Sequence, residues 1–416
     1  MPPQNPPSID EVLATIAERD GELNSVVHLF DPPLPPTGDG PLRGEVLMVK
    51  DNIAVAGAPW SAGSSTRLGS PATFDAECVR RVREAGATII AMTNLDEFAM
   101  GASTASSCFG PTHNPWDITR TAGGSSGGSA AASAAYAVAT LGTDTGGSIR
   151  EPAAQCGVVG VKPSGRQIPL HGVVPFAPTY DVVGPIAPTV WRTALLDDAM
   201  RCTDELSDAV QRGARGSLSG MVLGVVTQMA DHRNSLEVRD RFAAALDACE
   251  WLGAQLVEVD VPNIVDSLST YMTTTSIEAI PVLEEHAARG PLGEEAARRL
   301  EHALSVEPAE VARAVRHRRE LNAQLRRIAA GHDLLVSPSM PIVAPALSRP
   351  GLDDPLAAPR TDWWTVEANI AGLGAMSLPN GRGKESGLPV GLQLMCAPGT
   401  DARMYFAAAC LEPHVA

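Results

Sequence analysis

Four consecutive apolar residues, Val46 to Val49, run into a single lysine, Lys50, and this spacing predicts a buried strand with a charged end. Further short strands are read at Thr88–Met92, Val158–Val161, Met221–Val226, Gln255–Val259, Asp333–Val336, Ala375–Leu378 and Val390–Met395. Helical segments alternate with them. Ser8-Ile9-Asp10-Glu11 has an N-cap and an acidic first turn, and opens a helix to about Arg19. Asp75–Gly86, Val190–Cys202, Ser235–Leu252 and Asp401–Leu411 are further helices, and Asn94–Met100 begins a short one. Asp266–Ala330 is mostly helical, and its charged stretches Glu294–Arg299 and Arg313–Arg327 read as solvated faces. The proline-rich Asp31–Pro41 reads as an extended surface connection. Strands alternating with helices predict an α/β layered fold on a largely parallel sheet. With no repeat and no linker, residues 1–416 read as one domain: an N-terminal helix and connection (1–41), a core (42–200) and the remaining sheet and pocket helices (201–416).

The centre of the chain is Thr121 to Pro163, where periodicity gives way to two Gly/Ser-rich turns, Gly123–Ser129 and Gly142–Ser148. Glycines on either side of a serine let the backbone enter positive φ and approach a ligand closely. Successive free N–H groups in such a turn form a nest for an oxyanion. The Ala-rich run between the turns forms helix well and has little bulk, so it can pack beneath both. Two serine-bearing turns on one buried scaffold point to acyl transfer.

Composition narrows the class. With 44% hydrophobic and 19% charged residues in 416, the chain has enough apolar content for a large globular core. A net charge of −16 argues against nucleic-acid and anionic-membrane partners, and 4% aromatics against base-stacking surfaces. The seven cysteines are odd in number, scattered and without a CxxC pair, as expected of reduced thiols in a cytoplasmic protein. The opening residues carry no signal-peptide pattern, and no stretch reaches the ~18 apolar residues of a membrane span.

Lysine is scarce: Lys50, Lys162 and Lys384 stand among 32 basic residues. Burial lowers a lysine pKa and yields a neutral amine able to act as a base. A strand-end lysine that snorkels to solvent would show the same local pattern. Gly124-Ser125-Ser126-Gly127-Gly128 also matches the G-x-S-x-G nucleophile elbow, which requires a later acid and histidine. The later histidines lie mostly in charged helical or terminal contexts, which disfavours it. Asp144-Thr145-Gly146 imitates an aspartic-protease loop but has no second copy to share a proton. No serine stands three residues before any lysine, and H-E-x-x-H spacing is absent, so neither S-x-x-K chemistry nor a metal is expected.

Together, GGSSGGSA (123–130), GTDTGGSIR (142–150) and CGVVGVKP (156–163) closely resemble the amidase signature family. VKDNI (49–53), TNLDEFAMG (93–101), FGPTHNPWD (109–117), DVVGPIAPTV (181–190) and GLPVGLQLM (387–395) extend the resemblance over residues 42 to 412. It implies an α/β/α layered fold with a mixed, largely parallel central sheet, and a cofactor-free amidohydrolase. Ser148 matches the family's acyl-forming nucleophile, Ser125 its bridging serine on a cis peptide, and Lys50 its base. The backbone N–H groups of Thr145, Gly146, Gly147 and Ser148 match the oxyanion hole. Ser126, Asp144 and Arg150 are supporting residues, the last two either pairing to brace the nucleophile turn or standing apart as surface charges. Presence of Lys50, Ser125 and Ser148 argues against a non-catalytic scaffold.

Within the family, TNLDEFAMGASTASSCFGPTHNPWD is most similar to the branch that supplies the glutaminase component of tRNA-dependent amidotransferases. That similarity implies substrate contacts at Arg318 (a carboxylate), Asp362 (an amine or amide N–H) and Tyr271, unless these are surface groups. The branch's Arg/Tyr-Asp-Gly segment is replaced by Ile280–Gly290, and the N-terminal region is shorter. Those departures favour a stand-alone amidase for a small, carboxylate-bearing amide over a subunit of a larger complex; a homodimer is compatible with either.

Overall fold

Successive side chains of a strand point to opposite faces, and here both faces are covered. In β2 (Val46–Lys50), which follows the edge strand β1 (Val26–Leu34), Leu47 and Val49 enter one apolar cluster while Val46 and Met48 enter another. The computed structural model describes residues 6–69, 71–349 and 364–415. After β3 (Thr88–Thr93) comes a small hairpin, β4 (His113–Asn114) with β5 (Asp117–Thr121). Then follow β6 (Ala139–Asp144), β7 (Val159–Lys162), β8 (Val182–Ala187), β9 (Val222–Val226), β10 (Gln255–Val259), β11 (Leu334–Pro338), β12 (Gly374–Arg382) and β13 (Pro389–Cys396). All but the hairpin join one sheet in the order β1-β3-β2-β6-β8-β7-β12-β13-β11-β9-β10. The sheet is mixed. Its parallel runs form two wings, β3-β2-β6 and β11-β9-β10, joined by antiparallel strands through the middle.

The helices are α1 (Ile9–Leu23), α2 (Glu77–Glu84), α3 (Gly127–Tyr136), α4 (Arg150–Cys156), α5 (Val190–Arg201), α6 (Glu205–Gly213), α7 (Leu236–Trp251), α8 (Ser267–Ala287), α9 (Glu294–Ser305), α10 (Pro308–Ala330), α11 (Val366–Ala371) and α12 (Asp401–Val415). Leu334, Val336, Met376, Leu392 and Leu394 pack under α5, α6, α7 and α12, whereas Leu335, Ala375 and Met395 face the cluster of α8 to α11. This is the α/β/α layering expected. Helix α1 starts as read from the sequence, with Ser8 and Glu11 forming a reciprocal capping box, but runs on to Leu23. No helix among the described residues is long and apolar enough to cross a membrane.

Two local expectations need correction. Part of the proline-rich connection is strand: β1 includes Pro32 and Pro33 and pairs antiparallel with β3. It is an edge strand, where a missing N–H costs least. Asn94–Met100 forms no α-helix but a single 3-10 turn, Glu97–Ala99, with Phe98 and Ala99 at φ of 52° and 60°. Side chains there outcompete the helical backbone. Asn94 donates to the carbonyls of Asn24 and Gly110, and the Asp96 carboxylate accepts from Ser103 N and from Ser106 N and Oγ.

Candidate active site

The site forms where adjacent parallel strands end together. β2 and β6 run side by side, Val49 opposite Leu141, so the strand end at Lys50 lies beside the turn that follows Asp144. Carboxyl ends of strands in α/β sheets are where ligands bind, because the chain leaves the sheet there in loops. The Gly123–Ser126 turn enters the same place and leads directly into α3, whose small residues are almost all buried against the sheet.

Lys50 is wholly buried, which excludes the snorkelling alternative. Its Nζ donates to Ser125 Oγ at 2.7 Å, Ser126 Oγ at 2.8 Å and Thr143 Oγ1 at 2.9 Å. Burial pushes its pKa down to about 7, against the opposing pull of Asp96, Asp144 and Asp181. The amine can therefore exchange a proton near neutral pH, which no solvated lysine does. The Gly124–Ser125 peptide is cis. Ser126 ties the two turns together: its N–H donates to Ser148 O at 3.1 Å and its hydroxyl to Thr143 O at 3.1 Å.

The turn carrying Ser148 is held from inside by a buried ion pair. The Asp144 carboxylate accepts from Gly147 N (2.9 Å) and Ile149 N (3.2 Å), and Arg150 donates to both its oxygens at 3.0 and 3.1 Å. Arg150 also reaches Thr365 O, Gln393 Oε1 and Asn369 Oδ1. Burial raises the Asp144 pKa, but the Arg150 charge and hydrogen bonds outweigh it and hold the carboxyl below its ordinary range. Both groups are fully buried, so the pair braces the turn and is not two surface charges. Breaking such a pair from one side costs about 3–5 kcal/mol. Of the four backbone donors proposed for the oxyanion hole, the Gly147 N–H is taken up by Asp144. Thr145 is fixed by its hydroxyl, which donates to Asp181 Oδ1 at 2.6 Å, and Gly146 by its carbonyl, which accepts from Thr365 Oγ1 at 2.6 Å.

Ser148 opens onto a small cleft. Gly146, Gly147 and Glu151 flank the serine, the 99–102 segment forms one wall, and Phe176, Tyr271 and Arg299 complete it. A nucleophile, a proton-accepting amine and a nest of backbone donors around such a space suit acyl transfer. Among the described residues no group of three or more His, Cys, Asp or Glu is placed to hold a metal.

The amidase family model matches residues 36–404. The chain belongs to the amidase signature family. It is 36% identical over 96% of its length, and 87% of the relative's, to the A subunit of glutamyl-tRNA(Gln) amidotransferase from Paenarthrobacter aurescens (strain TC1). The crystal structure of the corresponding amidotransferase component from Thermotoga maritima superposes with a TM-score of 0.83 at 33% identity, covering 97% of this chain and 90% of that one. A structure described as a vestigial protein complex that reveals the evolutionary origins of an s-triazine catabolic enzyme gives 0.87 at 30% identity, covering 97% and 94%. This amidase chain is therefore an amidohydrolase with relatives in both amidotransferase and catabolic settings.

The substrate contacts inferred from the sequence divide. Tyr271 lines the cavity beside Gly146. Arg318 does not: it pairs with Glu278 at 3.4 Å, donates to Thr179 O at 3.3 Å and lies 3.8 Å over the Tyr180 ring. Tyr180 in turn meets Tyr271 edge-on at 5.6 Å, so Arg318 stands a layer behind the wall. Asp362 lies outside the described residues. The arginine on the wall is Arg299, on α9, 3% exposed and stacked 5.0 Å over Phe176. Glu294–Arg299 is thus not wholly a solvated face. The signal was present in the sequence: Arg299 shares a helical face with Ala296 and Ala303, and all three are buried.

Proposed function

We propose that this amidase hydrolyses a small primary amide that also carries a carboxylate, the glutamine type of substrate, through an acyl-Ser148 intermediate. Ser148 Oγ attacks the amide carbon as its proton passes through Ser125 to neutral Lys50. The proton then returns along the same relay to the leaving nitrogen. Backbone donors of the 145–148 turn other than the Gly147 N–H, which Asp144 holds, receive the developing oxyanion, and water reverses the sequence to release the acid. The 2.7 Å contact between Lys50 and Ser125 supports the relay.

The observation that carries the substrate class is Arg299, a buried guanidinium on the same cavity as Ser148. A bidentate charge-assisted pair contributes about 1.5–3 kcal/mol, so Arg299→Ala should lower kcat/KM about 10–150-fold on an amide acid. Its methyl ester should be little affected, and Arg299→Lys should recover only part, lacking the planar fork. Equal losses on acid and ester would make Arg299 structural and reject the reading.

The relatives named as amidotransferase components favour glutamine itself, with this chain as the glutaminase part of a larger complex. A stand-alone amidase is the second reading, favoured by one observation: α8 continues as helix through Ala287, across the position of the missing Arg/Tyr-Asp-Gly segment. Ammonia release from glutamine by the isolated chain separates them. A glutaminase that works within a complex should be nearly idle by itself.

The turn itself makes a further expectation. Gly147 has φ of 138°, and a Cβ there would overlap the Thr365 side chain. Gly147→Ala should shift the oxyanion donors and lower kcat by at least the ~10²-fold seen when one such donor is lost. Unchanged kcat in the folded variant would place the oxyanion elsewhere.

A further inference from the structure

The proton relay creates a charge where none stood. When Lys50 takes the Ser125 proton, a neutral amine becomes an ammonium in a fully buried site, and a buried charge needs an opposite one to offset it. Asp96 is fully buried against the same turn. Its backbone N–H donates to Ser125 O at 3.4 Å, and its carboxylate packs so closely on Gly124 and Gly101 that a Cβ on either would overlap it. Lys50 Nζ meets the Oγ of that same Ser125. Burial pushes the Asp96 pKa up. The donors around its carboxylate, Ser103 N at 3.3 Å and Ser106 Oγ at 2.9 Å, oppose that and favour the ionised form.

The other acids nearby are committed elsewhere. Asp144 is paired with Arg150, Asp181 accepts from Thr145 Oγ1 and Ala177 N, Asp51 from Ser61 N, and Glu97 from Ser64 Oγ and Gly293 N. Against the burial that lowers the Lys50 pKa, Asp96 acts most strongly of the carboxylates, and Lys50 is the cation that acts on Asp96.

We propose that Asp96 is a positioning residue for the relay: it holds the Ser125 turn and supplies the counter-charge to the ammonium formed on Lys50. This rests on the Lys50 relay above and deepens it. The step stays balanced, one proton passing from Ser148 to Ser125 while the Ser125 proton passes to Nζ, with no transfer to Asp96.

The test reads Lys50 directly. Lys50, Lys162 and Lys384 are the chain's lysines, so lysine labelled with carbon-13 at Cε gives few NMR signals, and the Lys50 signal is the one missing from Lys50→Ala. Asp96→Asn removes the charge and keeps the shape. In it the Lys50 pKa should fall by roughly one pH unit or more, the effect of losing a close opposite charge. The bend of the pH–kcat profile should move down with it, and kcat above the bend should fall by up to about tenfold, the equivalent of one pH unit. A merely structural loss has the opposite sign, because water entering a loosened site raises a buried lysine toward its ordinary ~10.4. Should Asp96→Asn fail to fold by thermal melting, Asp96→Ser carries the same expectation. An unchanged or raised Lys50 pKa in the folded variant overturns the inference and leaves the relay standing. If Lys50 of the intact protein titrates near ~10.4, the neutral-base relay falls, and the counter-charge is still judged on the same difference between intact protein and variant.

Discussion

Replacing Ser148 by alanine is expected to lower kcat by on the order of 10⁴–10⁶, the scale found when a nucleophile that acts as one unit with its base is removed. In the proposed mechanism the carbonyl carbon becomes bonded to this hydroxyl, and no neighbouring group should substitute. Ser126 is close but sealed: it is fully buried, accepts from Lys50 and donates to Thr143 O. A fluorophosphonate should phosphonylate the wild-type protein at Ser148 Oγ with loss of fluoride, and the variant should not be labelled. Peptide mapping decides the point. Label on Ser126 would restore the nucleophile-elbow reading of Gly124–Gly128.

Lys50→Ala is expected to lower kcat/KM by roughly 10²–10⁴-fold as the loss of a general base, and by more where relay members act together. The wild-type pH profile carries the sign. Burial holds the Lys50 pKa at about 7, and the proposed relay requires the neutral amine. Activity should therefore rise about tenfold per pH unit below 7, bend near 7 and level off above it. Below the bend Lys50 is protonated and cannot take the Ser125 proton. Lys50→Arg keeps the charge but no usable base at these pH values, so it should not restore activity. A fully active Lys50→Ala protein, or a profile flat through pH 7, would sink the relay.

Much of the architecture was legible. Runs such as Val46–Val49 and Val390–Met395 are buried on both faces, and short, mostly apolar stretches of that length have few alternatives. The first helix announced its own start through Ser8 and Glu11. Local patterning failed where a neighbour overrode it. Proline-bearing β1 is a strand because β3 offers it an edge, and the 94–100 segment is irregular because Asn94 and Asp96 turn their side chains to distant backbone groups. Helix α4 and strand β8 were not anticipated as elements, though β8 lies inside a quoted motif and α4 bridges two of them.

For the site, the sequence alone determined the chemical parts: a lone lysine after an apolar run, and glycines flanking serines. Those depend on residue type and nearest neighbours, which a linear pattern records. Tertiary structure decided which parts meet. Lys50 and Ser125 are 75 residues apart, and only the parallel pairing of β2 with β6, with α3 packed beneath, brings Nζ and Oγ to 2.7 Å. The same holds for charge. Arg318 and Arg299 both sit in charge-rich helical sequence, and the family resemblance pointed to the first. The packing of α9 against α8 turned the second into the cavity and left the first paired with Glu278 behind Tyr180. A helix presents a new face every 100° or so, and which face becomes a wall depends on the partner it packs against, information that no stretch of its own residues contains.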